Sequence, residues 1–132
     1  MVLLEHTDNL LPVVIFSKSY CPHSRRAKDL LLKVYNIVPK PLVVELDMLG
    51  EKVPSSPDQK LTLGKALQDL LGEITSRKTV PNIVVGGVHS IGGNDKIWEM
   101  HESGTLAEEI KKFGGRKVIS VDVNDADDDG KR

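Results

Sequence analysis

Apolar positions along the chain alternate between strand-like runs and helix-like periodicities. The run Pro12-Val13-Val14-Ile15-Phe16, closed by Ser17-Lys18-Ser19-Tyr20, predicts a strand in the buried middle of a sheet, since it has no polar face to give to solvent. From Pro22 the pattern changes: Ala27, Leu30, Leu31 and Val34 recur at three and four, which predicts an amphipathic helix with proline in its first turn. Val38-Pro39-Lys40-Pro41 forbids a helix, and residues 42–46 form a second strand. Residues 47–57 read as a loop, and Ser56-Pro57-Asp58 as a helix start; Leu61, Leu63, Leu67, Leu70 and Leu71 then make a helix face reaching Gly72 or Thr75. Residues 82–85 and 88–91, joined by Gly86-Gly87, predict a β-hairpin. Gly92-Gly93-Asn94-Asp95 opens another helix that offers Ile97, Trp98 and Met100 for burial. Ser103-Gly104 breaks it, and Thr105 caps a last helix over Leu106, Ile110 and Phe113.

This order sets the class as α/β. A strand–helix–strand start requires a parallel pair with a right-handed crossover, and the late hairpin adds antiparallel strands. The expected architecture is a small mixed sheet flanked by helices. A length of 132 residues fits one domain. Residues 1–10 read as a short helix or loose arm. The domain is expected over residues 1–115, followed by an acidic, disordered tail over 116–132 in which Val118-Ile119-Ser120-Val121 adds a short extended segment. Residues 122–132 hold five aspartates against one lysine and one arginine, and no large apolar side chain follows Val123. There is no internal repeat.

Charge narrows the function classes. Lysine and arginine number 18 against 19 acidic residues, which gives no electrostatic case for nucleic acid or an anionic membrane. The longest apolar run, residues 10–16, is too short to span a bilayer, and the start lacks the basic region of a signal peptide, so a soluble chain is expected. Gly64-Lys65 lacks the flanking residues of a phosphate-binding loop. His6, His89 and His101 show no metal-ligand spacing. One cysteine excludes an intramolecular disulfide and a cysteine-rich zinc site within the chain.

That cysteine, Cys21, stands between a strand end and the first turn of a helix. The free N–H groups and the dipole of a helix N-terminus favour an anion there, and Lys18 brings a positive charge. Both favour thiolate over thiol, and the thiolate is the nucleophile.

The segment Ser17-Lys18-Ser19-Tyr20-Cys21-Pro22-His23-Ser24 resembles the active-site segment of the glutaredoxins, whose common form is Cys-Pro-Tyr-Cys after a Lys-x-x spacer. Thr79-Val80-Pro81 is similar to the family's Thr-Val-Pro, in which a cis proline faces the active cysteine. Gly92-Gly93-Asn94-Asp95 is similar to the Gly-Gly-x-Asp segment that holds the γ-glutamyl end of glutathione. The resemblance covers about residues 10–113 and implies a thioredoxin-like fold with a four-stranded mixed sheet. Ser24 replaces the second cysteine of dithiol members, so the chain looks like a monothiol glutaredoxin with a Cys-Pro-His-Ser active site; Pro22 and His23 set it apart from the Cys-Gly-Phe-Ser type. Residues 18–24, Ile37-Val38-Pro39, Glu45-Leu46-Asp47 and residues 79–93 look most like fungal members of the secretory pathway. Those members are tethered by an N-terminal helix. The resemblance therefore implies a trimmed domain in the ER or Golgi lumen, with the cytoplasm as the alternative.

The implied activity is a glutathione-dependent thiol–disulfide oxidoreductase that reduces glutathione mixed disulfides through Cys21, with glutathionylated proteins as partners. Lys18 and Arg77 are implied for the glycine carboxylate of glutathione, and Val80 before Pro81 for strand-like pairing with its cysteinyl backbone. Thr79 completes that segment. Gly93 and Asn94 N–H groups suit the γ-glutamyl carboxylate, Asp95 its ammonium, and Tyr20 and His23 would flank the sulfur. His23 is an unusual member, since an imidazole beside a thiolate can stabilise it when protonated. The alternative function is a dimer around a 2Fe–2S cluster ligated by two Cys21 thiolates and two glutathione sulfurs; Pro22 argues against it, and without a cluster a monomer is expected. A third reading is a redox-inert interaction domain, which would leave Cys21 an ordinary thiol.

Overall fold

The computed structural model describes residues 12–50 and 61–124. The expected arm at 1–10, the helix start at Ser56-Pro57-Asp58 and the chain beyond Asn124 lie outside the described residues.

Four strands form the central sheet: β1 (Val13–Ser17), β3 (Leu42–Glu45), β4 (Asn82–Val85) and β5 (His89–Gly92), in the spatial order β3-β1-β4-β5. β1 pairs parallel with β3, bringing Ile15 opposite Val43, and antiparallel with β4, bringing Ile15 opposite Ile83. β4 and β5 form the antiparallel hairpin, whose turn glycines Gly86 and Gly87 have φ of 68° and 96°. Left-handed backbone of this kind strains a residue with a Cβ, which is why the turn is a glycine pair. The mixed sheet with one parallel pair is the expected one.

Helices cover it. α1 (Pro22–Asp29) continues as a π-helical turn at Leu30–Val34; α2 is Leu63–Thr75, α3 is Asn94–Ser103 and α4 is Leu106–Gly114. Their apolar faces meet the sheet in one core containing Val13, Ile15, Leu30, Leu31, Ile83, Val85, Ile97, Leu106 and Ile110, all fully buried. Trp98 and Phe113 pack partly buried against it. Thr105 does occupy the N-cap position of α4, but its hydroxyl makes no cap bond and turns back to Met100 O at 3.4 Å and the Ser103 hydroxyl at 3.0 Å.

The extended segment expected at residues 118–121 is present two residues later, but its partner strand and its place within the fold depart from expectation. Tyr35–Val38 is a further strand, β2, and Ser120–Val123 is its antiparallel partner, β6. The fold therefore runs past the limit placed at residue 115, and the segment from 116 to 123 belongs to it rather than to a tail. The reason is alternation. Tyr35 and Ile37 face inward while Asn36 and Val38 face out, and Ile37 pairs with Val121, both buried. Four alternating residues beside a helix end are easily read as its continuation. The small sheet is tied to α3 by the Tyr35 hydroxyl, 2.7 Å from His101 Nδ1. Arg26 on α1 sits 5.0 Å over the Trp98 ring, tying α1 to α3.

Candidate functional site

β1 ends at Ser17, and the chain turns through Lys18 to Cys21, with Cys21 N–H donating to Lys18 O at 3.0 Å. Cys21 is the N-cap of α1 and Pro22 enters the first turn, where its missing N–H costs nothing. The thiol is therefore set at the helix N-terminus, partly exposed and free.

Its pKa lies below that of an ordinary thiol. Desolvation pushes it up, but this is outweighed by the Ser24 N–H, the Ser24 hydroxyl, the His23 N–H and the charge of Lys18. The helix-end N–H groups and Lys18 were anticipated from the sequence. The Ser24 hydroxyl was not. Ser24 is fully buried, and its oxygen also accepts from Lys18 N–H at 3.3 Å.

Beside this turn lies a cavity of about 420 Å³ lined by His23, Arg77, Thr79, Val80, Pro81, Gly93, Asn94, Asp95, Lys96 and Glu99. Eight of these are candidates named from the sequence, drawn together from α1, the loop before β4 and the start of α3. Lys96 and Glu99 were missed; they lie on the first turns of α3 beyond the glycine-rich segment, and their spacing of three along that helix was the available signal. Lys18, Tyr20 and Cys21 itself do not line the cavity. Lys18 acts on Cys21 through its charge, and Tyr20 is 69% exposed.

The cavity walls are held by side-chain bonds of Arg77 and Asn82. The Val80–Pro81 peptide is cis. Arg77 Nε donates to Pro81 O at 3.3 Å, and the guanidinium lies so close to Gly93 that a Cβ there would overlap its Nη2. A side chain at Gly93 would have to displace the Arg77 guanidinium and would also press on Pro81 O. Asn82, buried at the start of β4, holds this corner: its Nδ2 donates to Thr75 Oγ1 at 3.1 Å and to Arg77 O at 3.3 Å. Asn94 is buried and its Oδ1 has no partner among the described residues. A cationic fork, the Val80 backbone and a helix N-terminus on one cavity suit a small peptide with carboxylates at both ends.

The turn that carries Cys21 also meets Asp47, in the 3₁₀ turn Leu46–Met48 after β3. Its Oδ1 accepts from Ser19 N–H at 2.8 Å and its Oδ2 from the Ser19 hydroxyl. Its carboxyl is held below the usual range, first by the Ser19 hydroxyl and then by the Ser19 N–H, with a smaller part from Lys18.

Among the described residues no three His, Cys, Asp or Glu side chains are grouped to hold a metal ion. One chain offers a cluster a single thiolate, Cys21.

Comparison with known proteins converges on one family. The glutaredoxin family model matches residues 13–90. Monothiol glutaredoxin-7 of Saccharomyces cerevisiae is 37% identical over 102 residues, 77% of this chain and 44% of that protein. Glutaredoxin-C8 of Oryza sativa is 39% identical over 113 residues, 86% of this chain and 66% of that protein. The chain therefore spans only about half to two thirds of these relatives. The crystal structure of a buckwheat glutaredoxin–glutathione complex matches with a TM-score of 0.57 and 31% identity, covering 86% of this chain and 91% of the buckwheat one. With its thioredoxin-like sheet, its cysteine at the start of α1 and the cavity beside it, the chain belongs to the glutaredoxin family.

Proposed function

We propose that this chain is a glutathione-dependent thiol–disulfide oxidoreductase that reduces glutathione mixed disulfides through Cys21 alone. The observation that carries the reading is a thiol biased toward thiolate beside a cavity whose walls match a tripeptide with two carboxylates. The glutathione complex of the buckwheat relative supports the choice of tripeptide.

Glutathione lies along Val80 in strand fashion, with Arg77 on its glycine carboxylate and the α3 N-terminus, Gly93 to Asp95, on its γ-glutamyl end. The Cys21 thiolate attacks the glutathione sulfur; a Cys21–glutathione disulfide forms, the original disulfide breaks, and the partner thiolate leaves and takes a proton from water. A second glutathione thiolate then attacks the glutathione sulfur held on Cys21, releasing glutathione disulfide and restoring the Cys21 thiolate. One mixed disulfide and one glutathione give one thiol and one glutathione disulfide. No second protein thiol enters, so Ser24 does not block the cycle.

Turnover of a glutathione mixed disulfide should vanish in Cys21→Ser, and retained turnover would overturn the reading. A visible absorbance band after anaerobic reconstitution with iron, sulfide and glutathione would favour the cluster-bound dimer instead. The resemblance of the Cys-Pro-His-Ser segment to secretory-pathway members supports a place in the ER or Golgi lumen; fractionation of the native protein tests it.

A further inference from the structure

We infer that Asp47 is a positioning residue for Cys21, clamping the turn that carries the nucleophile through its two hydrogen bonds to Ser19. The inference rests on Cys21 being the reactive thiol of the proposed exchange and adds a residue outside the glutathione cavity.

The active-site turn has few anchors of its own. Between the end of β1 and the first turn of α1, its own bonds include Cys21 N–H to Lys18 O at 3.0 Å and Lys18 N–H to the Ser24 hydroxyl at 3.3 Å. Both close the turn on itself or on α1. Among the described residues, the two Asp47–Ser19 hydrogen bonds tie it to the turn that follows β3, 28 residues away in sequence. They engage both a backbone and a side-chain donor of one residue, so they fix orientation as well as distance.

Asp47 is in turn held from behind. Leu46, the residue before it, is buried, and Leu49 N–H closes the turn on Leu46 O at 3.3 Å. Gly64 at the start of α2 donates to Leu49 O at 2.9 Å and packs so tightly on Leu46 O that a Cβ would overlap it. The path runs from α2 through the turn to Asp47, then to Ser19 and Cys21. Three of the groups that favour the Cys21 thiolate are the Ser24 hydroxyl and the N–H groups of Ser24 and His23, and they act only when the sulfur lies at the helix end. A turn free to move would take the sulfur away from them. Lys18 is the charged side chain that acts on both Cys21 and Asp47.

Position and charge are separable by substitution. Asp47→Asn keeps an oxygen for the Ser19 N–H and an amide group for the Ser19 hydroxyl, and removes the charge. Asp47→Glu keeps the charge and misplaces it by one methylene. The readout is the pH dependence of Cys21 alkylation by iodoacetamide, which needs no glutathione. The clamp predicts that Asp47→Glu moves the profile to higher pH and slows alkylation near neutrality roughly 2- to 10-fold, the order of one hydrogen bond, while Asp47→Asn does not move it upward. The reverse order, or both variants matching the wild type, would overturn it. The same variants assayed on a glutathione mixed disulfide should show the same ranking in kcat/KM. A wild-type protein that turns over no such substrate would defeat the proposed function, while the alkylation profiles would still decide the clamp.

Discussion

Ser24 places its hydroxyl against Cys21: its oxygen accepts from Lys18 N–H at 3.3 Å, which leaves its proton for the sulfur. The residue that removes a resolving thiol thereby supplies a donor to the thiolate that remains. Ser24→Ala should move the alkylation profile of Cys21 to higher pH and slow turnover of a glutathione mixed disulfide near neutrality, roughly 2- to 10-fold. Stopped-flow alkylation across pH checks this, and an unmoved profile would remove Ser24 from the account.

A side chain at Gly93 should act on the cavity through Arg77 rather than through the backbone. A methyl there meets the Arg77 guanidinium, so Gly93→Ala should push Arg77 off the cavity wall. The expected result is a KM for glutathione mixed disulfide raised roughly tenfold, the order of one charge-assisted hydrogen bond, with Cys21 alkylation unchanged. Steady-state kinetics beside an alkylation profile separates the two.

The lowered pKa of Cys21 also links the fold to pH. Between the folded value and the ordinary thiol value the unfolded chain binds the extra proton, so stability rises with pH across that window. The contribution is complete above the ordinary thiol pKa and is lost as pH falls through the folded one. Thermal midpoints should therefore climb more steeply with pH in the wild type than in Cys21→Ser; parallel curves would show that the fold does not favour the thiolate.

Ile37→Ala should cost about 2–5 kcal/mol, as for other buried large-to-small changes, because Ile37 is buried opposite Val121 in the small sheet. Denaturant unfolding should shift while Cys21 alkylation in the native state stays put.

The four central strands and the starts of α1 and α3 were legible because they rest on local signals: continuous apolar runs, a glycine pair, proline after Cys21, glycines before Asn94. Eight of the ten residues that line the cavity were legible as short motifs, whereas Lys96 and Glu99 were not. What escaped depends on distant partners. Tyr35–Val38 becomes a strand only because Ser120–Val123 comes to lie beside it. Asp47 reads as a loop aspartate until Ser19 is placed against it. Ser24 was read for the disulfide it cannot form, and its burial beneath the sulfur is a property of the folded turn.

The joining of β2 to β6 has a consequence for how the protein is made. Asn124 N–H donates to Val34 O at 2.8 Å, and Asn124 Nδ2 to Lys33 O at 2.7 Å across 91 residues of chain. These are the carbonyls left open where the helical segment after Cys21 ends. A ribosome adding roughly 5–20 residues per second delivers β1, α1 and the hairpin well before it delivers the strand that closes them. Among the described elements the small sheet is the one whose second strand is synthesised last, and a nascent chain halted short of it would carry Cys21 on a helix whose far end is still unfastened.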